Sequence, residues 1–161
     1  MMELIDVLIV EDETSIADVH SFYLKQTARF RPVGVAQSIN EARNMVRILK
    51  PKLIFLDNYL PDGRGIEFLK ELTHQPQAPD VIFITAASDM ETVREAVRCG
   101  VFDYLLKPIA YDRVQNSLER YLKYISSLRA NDSVNQRHSM SYLIFKPKPS
   151  SLMGCRKGLM S

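Results

Sequence analysis

The chain has 161 residues, long enough for one well-buried domain and too short for two of ordinary size. An apolar fraction of 46% with a charged fraction of 25% excludes a fibrous or wholly disordered chain. The net charge of +2 hides two unlike parts: residues 1–128 carry 15 Lys and Arg against 18 Asp and Glu, whereas residues 129–161 carry 6 against 1, so the acidic part is expected to hold the folded domain.

Residues 6–10 are an apolar run that ends in Glu11-Asp12-Glu13, and residues 14–27 follow with Ile16, Val19, Tyr23 and Leu24 at helical spacing. A buried strand and a helix are predicted there. Residues 32–36 form a second short strand, and Ser38-Ile39-Asn40-Glu41 has the form of a capping box opening a helix with Ala42, Met45, Val46 and Leu49 on its apolar side. Pro51 ends that helix. Residues 53–56 give a third strand stopped by Asp57, and Pro61-Asp62-Gly63-Arg64-Gly65 supplies turn chemistry before a helix carrying Ile66, Leu69 and Leu72. Residues 81–84 give a fourth strand halted at Thr85. A second capping box, Ser88-Asp89-Met90-Glu91, opens a helix that stops at Gly100. Residues 101–106 are the fifth strand, ending at Lys107-Pro108, and Val114, Leu118, Tyr121, Leu122 and Ile125 mark a last amphipathic helix.

Five strands alternating with five helices predict an α/β fold, a parallel sheet covered by helices on both faces, because parallel neighbours need right-handed crossovers and helices supply them. From Arg129 the periodicity gives way to Ser, Asn, Lys and Pro, with one apolar island at residues 142–145. Residues 129–161 are therefore read as a linker or disordered tail. Acidic Glu3 and Asp6 stand where a secretory signal carries positive charge, and the first apolar run is too short for a bilayer, so a cytoplasmic location is expected. Cys99 and Cys155 form neither a disulfide framework nor a metal-ligand spacing and read as free thiols.

In an open parallel sheet, ligands gather beyond the carboxyl ends of the strands where the strand order reverses. The first strand delivers Glu11 and Asp12 to that rim, the third Asp57, the fourth Thr85 and the fifth Lys107. Any one of these alone is an ordinary solvated loop residue; together they are a site of complementary chemistry. Three crowded carboxylates repel one another unless a cation sits among them, and a hard divalent ion with oxygen ligands fits, magnesium best. His20, His74 and His138 are scattered and read as packing or surface residues, which argues against zinc. An aspartate can attack phosphorus while a metal and a lysine neutralise the equatorial oxygens, and Asp57, alone on the middle strand, is the natural nucleophile.

The stretches Val7-Leu8-Ile9-Val10-Glu11-Asp12-Glu13, Leu56-Asp57-Asn58-Tyr59-Leu60-Pro61-Asp62-Gly63-Arg64-Gly65, Thr85-Ala86-Ala87 and Tyr104-Leu105-Leu106-Lys107-Pro108 together resemble the receiver domains of two-component response regulators. The resemblance covers residues 7–128. Residues 86–110 and 58–65 are similar to the CitB-type subgroup, regulators of citrate and dicarboxylate metabolism. This implies a flavodoxin-like fold with strand order 2-1-3-4-5. It also implies phosphorylation of Asp57 by a sensor histidine kinase, with magnesium on Asp12, on Glu11 through water, on Asp57 and on the Tyr59 backbone carbonyl. Lys107 would contact the phosphoryl group, Thr85 and Tyr104 would be the switch residues, and Lys107-Pro108 would be cis. The protein is then a phosphoacceptor that serves transcription control and dimerises on phosphorylation, with slow self-dephosphorylation as its nearest approach to enzymatic turnover.

CitB-type regulators continue into a DNA-binding domain, whereas residues 129–161 are too short and aperiodic to form a helix-turn-helix. DNA contact is expected only through a domain outside this chain; the alternative is a stand-alone receiver acting by protein–protein interaction. A dinucleotide enzyme would need a glycine-rich turn where Glu11-Asp12-Glu13 stands, and those charges would repel a pyrophosphate.

Overall fold

The computed structural model describes residues 3–134. The elements are β1 (Ile5–Val10), α1 (Thr14–Lys25), β2 (Phe30–Ala36), α2 (Ile39–Leu49), β3 (Leu53–Asp57), β4 (Tyr59–Leu60), β5 (Gly63–Arg64), α3 (Gly65–Thr73), β6 (Asp80–Ala86), α4 (Met90–Arg98), β7 (Asp103–Lys107) and α5 (Tyr111–Val134). Five strands form one parallel sheet in the order β2-β1-β3-β6-β7, which is 2-1-3-4-5 for the five in chain order.

Alternation along each strand builds two cores, because successive side chains point to opposite faces of a sheet. Leu8, Val10, Ile54, Leu56 and Phe83 pack on one face with Ala42 of α2, Leu69 of α3 and Ala96 of α4. Val7, Ile9, Leu53, Phe55, Ile82 and Ile84 pack on the other with Ala17 and Leu24 of α1 and Val114, Leu118 and Tyr121 of α5. β1, β3 and β6 are flanked on both sides, so their apolar runs are nearly continuous. Pro32 is tolerated because β2 is an edge strand, and the pairing with β1 shifts register just there, between Val7 and Leu8.

The turn after β3 is more structured than the sequence suggests. β4 and β5 pair as a short antiparallel hairpin, and Asp62 at its tip accepts hydrogen bonds from the N–H groups of Ile39 (2.8 Å) and Asn40 (3.0 Å) at the start of α2. Those two bonds hold the Asp62 carboxyl below the usual range. The first capping box forms in altered shape: Ser38 Oγ accepts from Glu41 N at 3.1 Å, but the Glu41 carboxylate takes the N–H of Gln37 instead of the cap residue. The second does not form. Asp89, not Ser88, is the N-cap of α4, and its side chain makes no capping bond because Tyr59 and Thr85 occupy it.

Asp57, Thr85 and Lys107 lie inside their strands instead of just beyond them, and β7 starts at Asp103, two residues later than predicted. The Lys107-Pro108 bond is cis. α5 runs six residues past Leu128, to Val134, so the predicted end of the domain falls inside a helix; the remainder of the expected tail, with its apolar island and His138, lies outside the described residues. Cys99 is disulfide-bonded, which corrects its reading as a free thiol: pairing depends on proximity in space, which sequence spacing does not reveal. Among the described residues, no helix is long and apolar enough to cross a membrane.

Candidate functional site

The carboxyl ends of β1, β3 and β7 converge on one rim. Glu11 and Asp12 follow β1, with Glu11 N donating to Ala36 O of β2 at 2.9 Å, which fixes the turn against the sheet. Asp57 closes β3 and is 1% exposed; its Oδ2 accepts from Tyr59 N at 3.0 Å. Lys107 closes β7 and places Nζ 2.6 Å from Asp57 Oδ1 and 3.5 Å from Glu11 Oε1. Oxygens of Glu11, Asp12 and Asp57 lie within 4.8 Å of one another, so the structure brings together the whole predicted acidic set with its lysine.

Burial and mutual repulsion leave their mark on these groups. Loss of water, then the charge of Asp57, raises the Glu11 carboxyl to about 7. Burial also raises the Asp57 carboxyl, against the opposing pull of Lys107. Burial disfavours the Lys107 ammonium, but its hydrogen bond and attraction to Asp57, reinforced by Glu11, overcome this and raise its proton affinity. Glu11 Oε1 is buried without a hydrogen-bond donor. Three crowded carboxylates share one ammonium, which reaches Glu11 Oε1 only as a 3.5 Å ion pair, and this suits an additional hard cation.

The predicted switch residues sit apart from this cluster. Thr85 is buried in β6 and its hydroxyl donates to Asp89 Oδ2 at 3.0 Å, not to Asp57. Tyr104 packs partly buried against the Leu8–Phe83 core, and its carbonyl accepts from Arg113 Nη2 at 2.8 Å.

Sequence reading passed over the loop that positions Asp57. Asn58 is fully buried: its N–H donates to Ile84 O (3.1 Å), its carbonyl accepts from Gly65 N (2.7 Å), and its Oδ1 accepts from Ile66 N (3.2 Å). Gly65 packs against this turn so closely that a Cβ there would stand 2.2 Å from Asp57 O. In the sequence the available signals were an Asn directly after the acceptor and a Gly seven residues beyond that Asn, and neither names its partner. Asp89, hidden in an apparent capping box, gave none.

The model of the response regulator receiver domain matches residues 7–119. The chain belongs to that family. It is 52% identical over 130 residues to the transcriptional regulatory protein DpiA of Escherichia coli K12, a match spanning 81% of this chain and 58% of that protein. It is 44% identical over 137 residues to the transcriptional regulatory protein CitB of Klebsiella pneumoniae, spanning 85% and 58%. The chain thus covers under two thirds of the length of these relatives. Among solved structures, the receiver domain of NtrX from Brucella abortus superposes with a TM-score of 0.65 at 30% identity, covering 73% of this chain and 98% of that one. The doubly wound fold and the receiver assignment read from the sequence both hold.

Proposed function

We propose that this receiver accepts a phosphoryl group on Asp57 from a sensor histidine kinase and passes the change to a transcriptional output. The observation that carries this is the buried Asp57 carboxylate with the Lys107 ammonium 2.6 Å away, beside the Glu11 and Asp12 carboxylates. An Asp57 oxygen forms the new bond to phosphorus as the bond to the donor's nitrogen breaks, and Lys107 balances charge gathering on the phosphoryl oxygens. Asp12 and Asp57 would hold magnesium directly, with the Tyr59 carbonyl, and Glu11 through water; the ion would supply further neutralisation of the phosphoryl oxygens. Thr85 and Tyr104 are the switch residues, Thr85 turning its hydroxyl toward the phosphoryl group.

The identities to DpiA and CitB support control of citrate or dicarboxylate genes, carried out in the cytoplasm. Residues 1–128 are the receiver in this proposal, and residues 129–161 connect it to a DNA-binding domain outside this chain. Activated receivers pair through α4, β7 and α5, whose surfaces carry exposed Arg98, Asp112, Glu119 and Lys123 for cross-pairing; such exposed pairs are worth ~0 to 1 kcal/mol each, so the resting protein is mostly monomeric. Intact mass after treatment with acetyl phosphate and magnesium tests the acceptor: one phosphoryl group is expected, lost with chelator and in Asp57→Asn. Equal labelling of that variant refutes the assignment.

A further inference from the structure

Thr85 has one hydroxyl hydrogen, and in this structure Asp89 holds it. The Asp89 carboxylate stands at the N-terminus of α4 yet leaves the helix N–H groups uncapped; its Oδ2 accepts from Thr85 Oγ1 at 3.0 Å and from the Tyr59 phenol. Tyr59 belongs to the hairpin strand that begins two residues after Asp57. The Arg64 guanidinium lies over the Tyr59 ring, 5.8 Å from its centre, and Arg64 Nη2 donates to Thr92 Oγ1 of α4 at 3.2 Å. The loop that carries the phosphoacceptor is thereby tied at two points to the first turn of α4.

An N-cap Asp ordinarily stabilises its own helix through its side chain, and here that use is given up. What replaces it is a pair of charge-assisted hydrogen bonds, one from each residue that flanks the acceptor site. A hydroxyl donates a single hydrogen, so donation to Asp89 and donation to a phosphoryl oxygen on Asp57 exclude each other.

We infer that Asp89, steadied by Tyr59, is a latch that holds the Thr85 hydroxyl away from Asp57 and keeps the receiver in its resting form. Asp89 and Tyr59 are positioning residues that act through Thr85. A phosphoryl group, or an analogue of it, binds in competition with this bond, so its apparent affinity is reduced by the fraction of molecules held closed. The inference rests on the proposed role of Thr85 as the switch hydroxyl.

The test is the affinity of the purified chain for beryllofluoride in the presence of magnesium, followed by 19F nuclear magnetic resonance. Asp89→Ala is expected to bind about threefold to tenfold more tightly than the native chain, the size of effect that loss of one partly exposed charge-assisted hydrogen bond gives. Tyr59→Phe, which keeps the ring beneath Arg64 and the main chain near Asp57, is expected to move the same way by a smaller factor. Thr85→Ala alone is expected to weaken binding, and adding Asp89→Ala in that background is expected to change nothing, because the latch then has no hydroxyl to hold. A purely structural Asp89 would alter binding equally with or without the Thr85 hydroxyl. Unchanged or weaker binding in Asp89→Ala while Thr85→Ala weakens it overturns the latch alone; undiminished binding in Thr85→Ala overturns the switch assignment and the latch with it.

Discussion

His20 gives the chain an acid-sensitive stability of predictable size. It lies on α1, 2% exposed, with its ring edge-on to Phe55 at 5.8 Å and its Nδ1 without a hydrogen-bond partner. Burial first, and the charge of Lys107 second, lower its pKa from 6.5 to about 4. Above pH 6.5 the imidazole is neutral folded or unfolded and costs nothing. As pH falls through 6.5 the unfolded chain binds a proton that the folded chain refuses, so stability drops until the folded pKa near 4 is passed. At about 1.4 kcal/mol per pH unit, the complete loss is about 3 kcal/mol, and about 2 kcal/mol of it falls between pH 7.5 and 5. Met fills a similar apolar site without titrating, so His20→Met removes this component and leaves the carboxylates to respond as before. Urea unfolding of both proteins at the two pH values checks it: relative to the native chain, the variant is expected to gain about 2 kcal/mol at pH 5. Parallel losses in the two proteins, or a His20 resonance titrating near 6.5, would refute the reasoning.

Gly65→Ala pushes a Cβ to 2.2 Å from the backbone carbonyl oxygen of Asp57, which has no flexible side chain to yield; a loss of at least about 3 kcal/mol in urea unfolding is expected, together with slower acetyl phosphate labelling. Asp12→Ala is expected to weaken magnesium binding at least about tenfold in a tyrosine-fluorescence titration, and Glu11→Ala to weaken it less if water mediates its contact. Asp103 is paired by Arg113 through two bonds of 2.9 and 3.0 Å and by Arg120; Arg113→Ala is expected to cost about 2 kcal/mol, less than a fully buried pair because the guanidinium is 40% exposed, as read from thermal or urea unfolding.

The sheet was legible because each strand is an apolar run that changes to polar residues at its carboxyl end, and Glu11, Asp57 and Lys107 did fall at or next to those ends. What escaped the sequence was non-local. Asp62 caps a helix that begins 23 residues before it, which no window along the chain contains. Ser88-Asp89-Met90-Glu91 has the spacing of a capping box, yet contacts from Tyr59 and Thr85 claim Asp89, so tertiary demand overrode a valid local pattern. α5 outruns its apolar periodicity because a helix once nucleated adds residues at one hydrogen bond each, without needing a buried face for the last turn. The acidic pair, the acceptor and the lysine were thus readable as chemistry, while the loop that aims them was readable only as a turn.

Charge connects the site to its switch. In the resting receiver Lys107 is the nearest ammonium to both Asp57 and Glu11, so its capacity is already engaged at 2.6 and 3.5 Å. Phosphorylation replaces a carboxylate of charge −1 by a group of about −2 bearing three acceptor oxygens. The added charge calls for a further donor, and the switch proposed above gives that part to the buried Thr85 hydroxyl of β6, which in the resting form donates to Asp89. In the latch proposed above, the hydrogen that answers the phosphoryl group is the one taken from Asp89, so neutralising the new charge and freeing Asp89 from β6 would be a single event. Tyr59 keeps Asp89 as its acceptor through this step, and Arg64 keeps its bond to Thr92, so what α4 gives up is its tie to β6 and not its tie to the hairpin. Asp57 and Thr85 are both buried in the sheet while Asp89 stands at the start of α4, so in this proposal the Thr85 hydroxyl is the link by which a change of charge at Asp57 reaches α4.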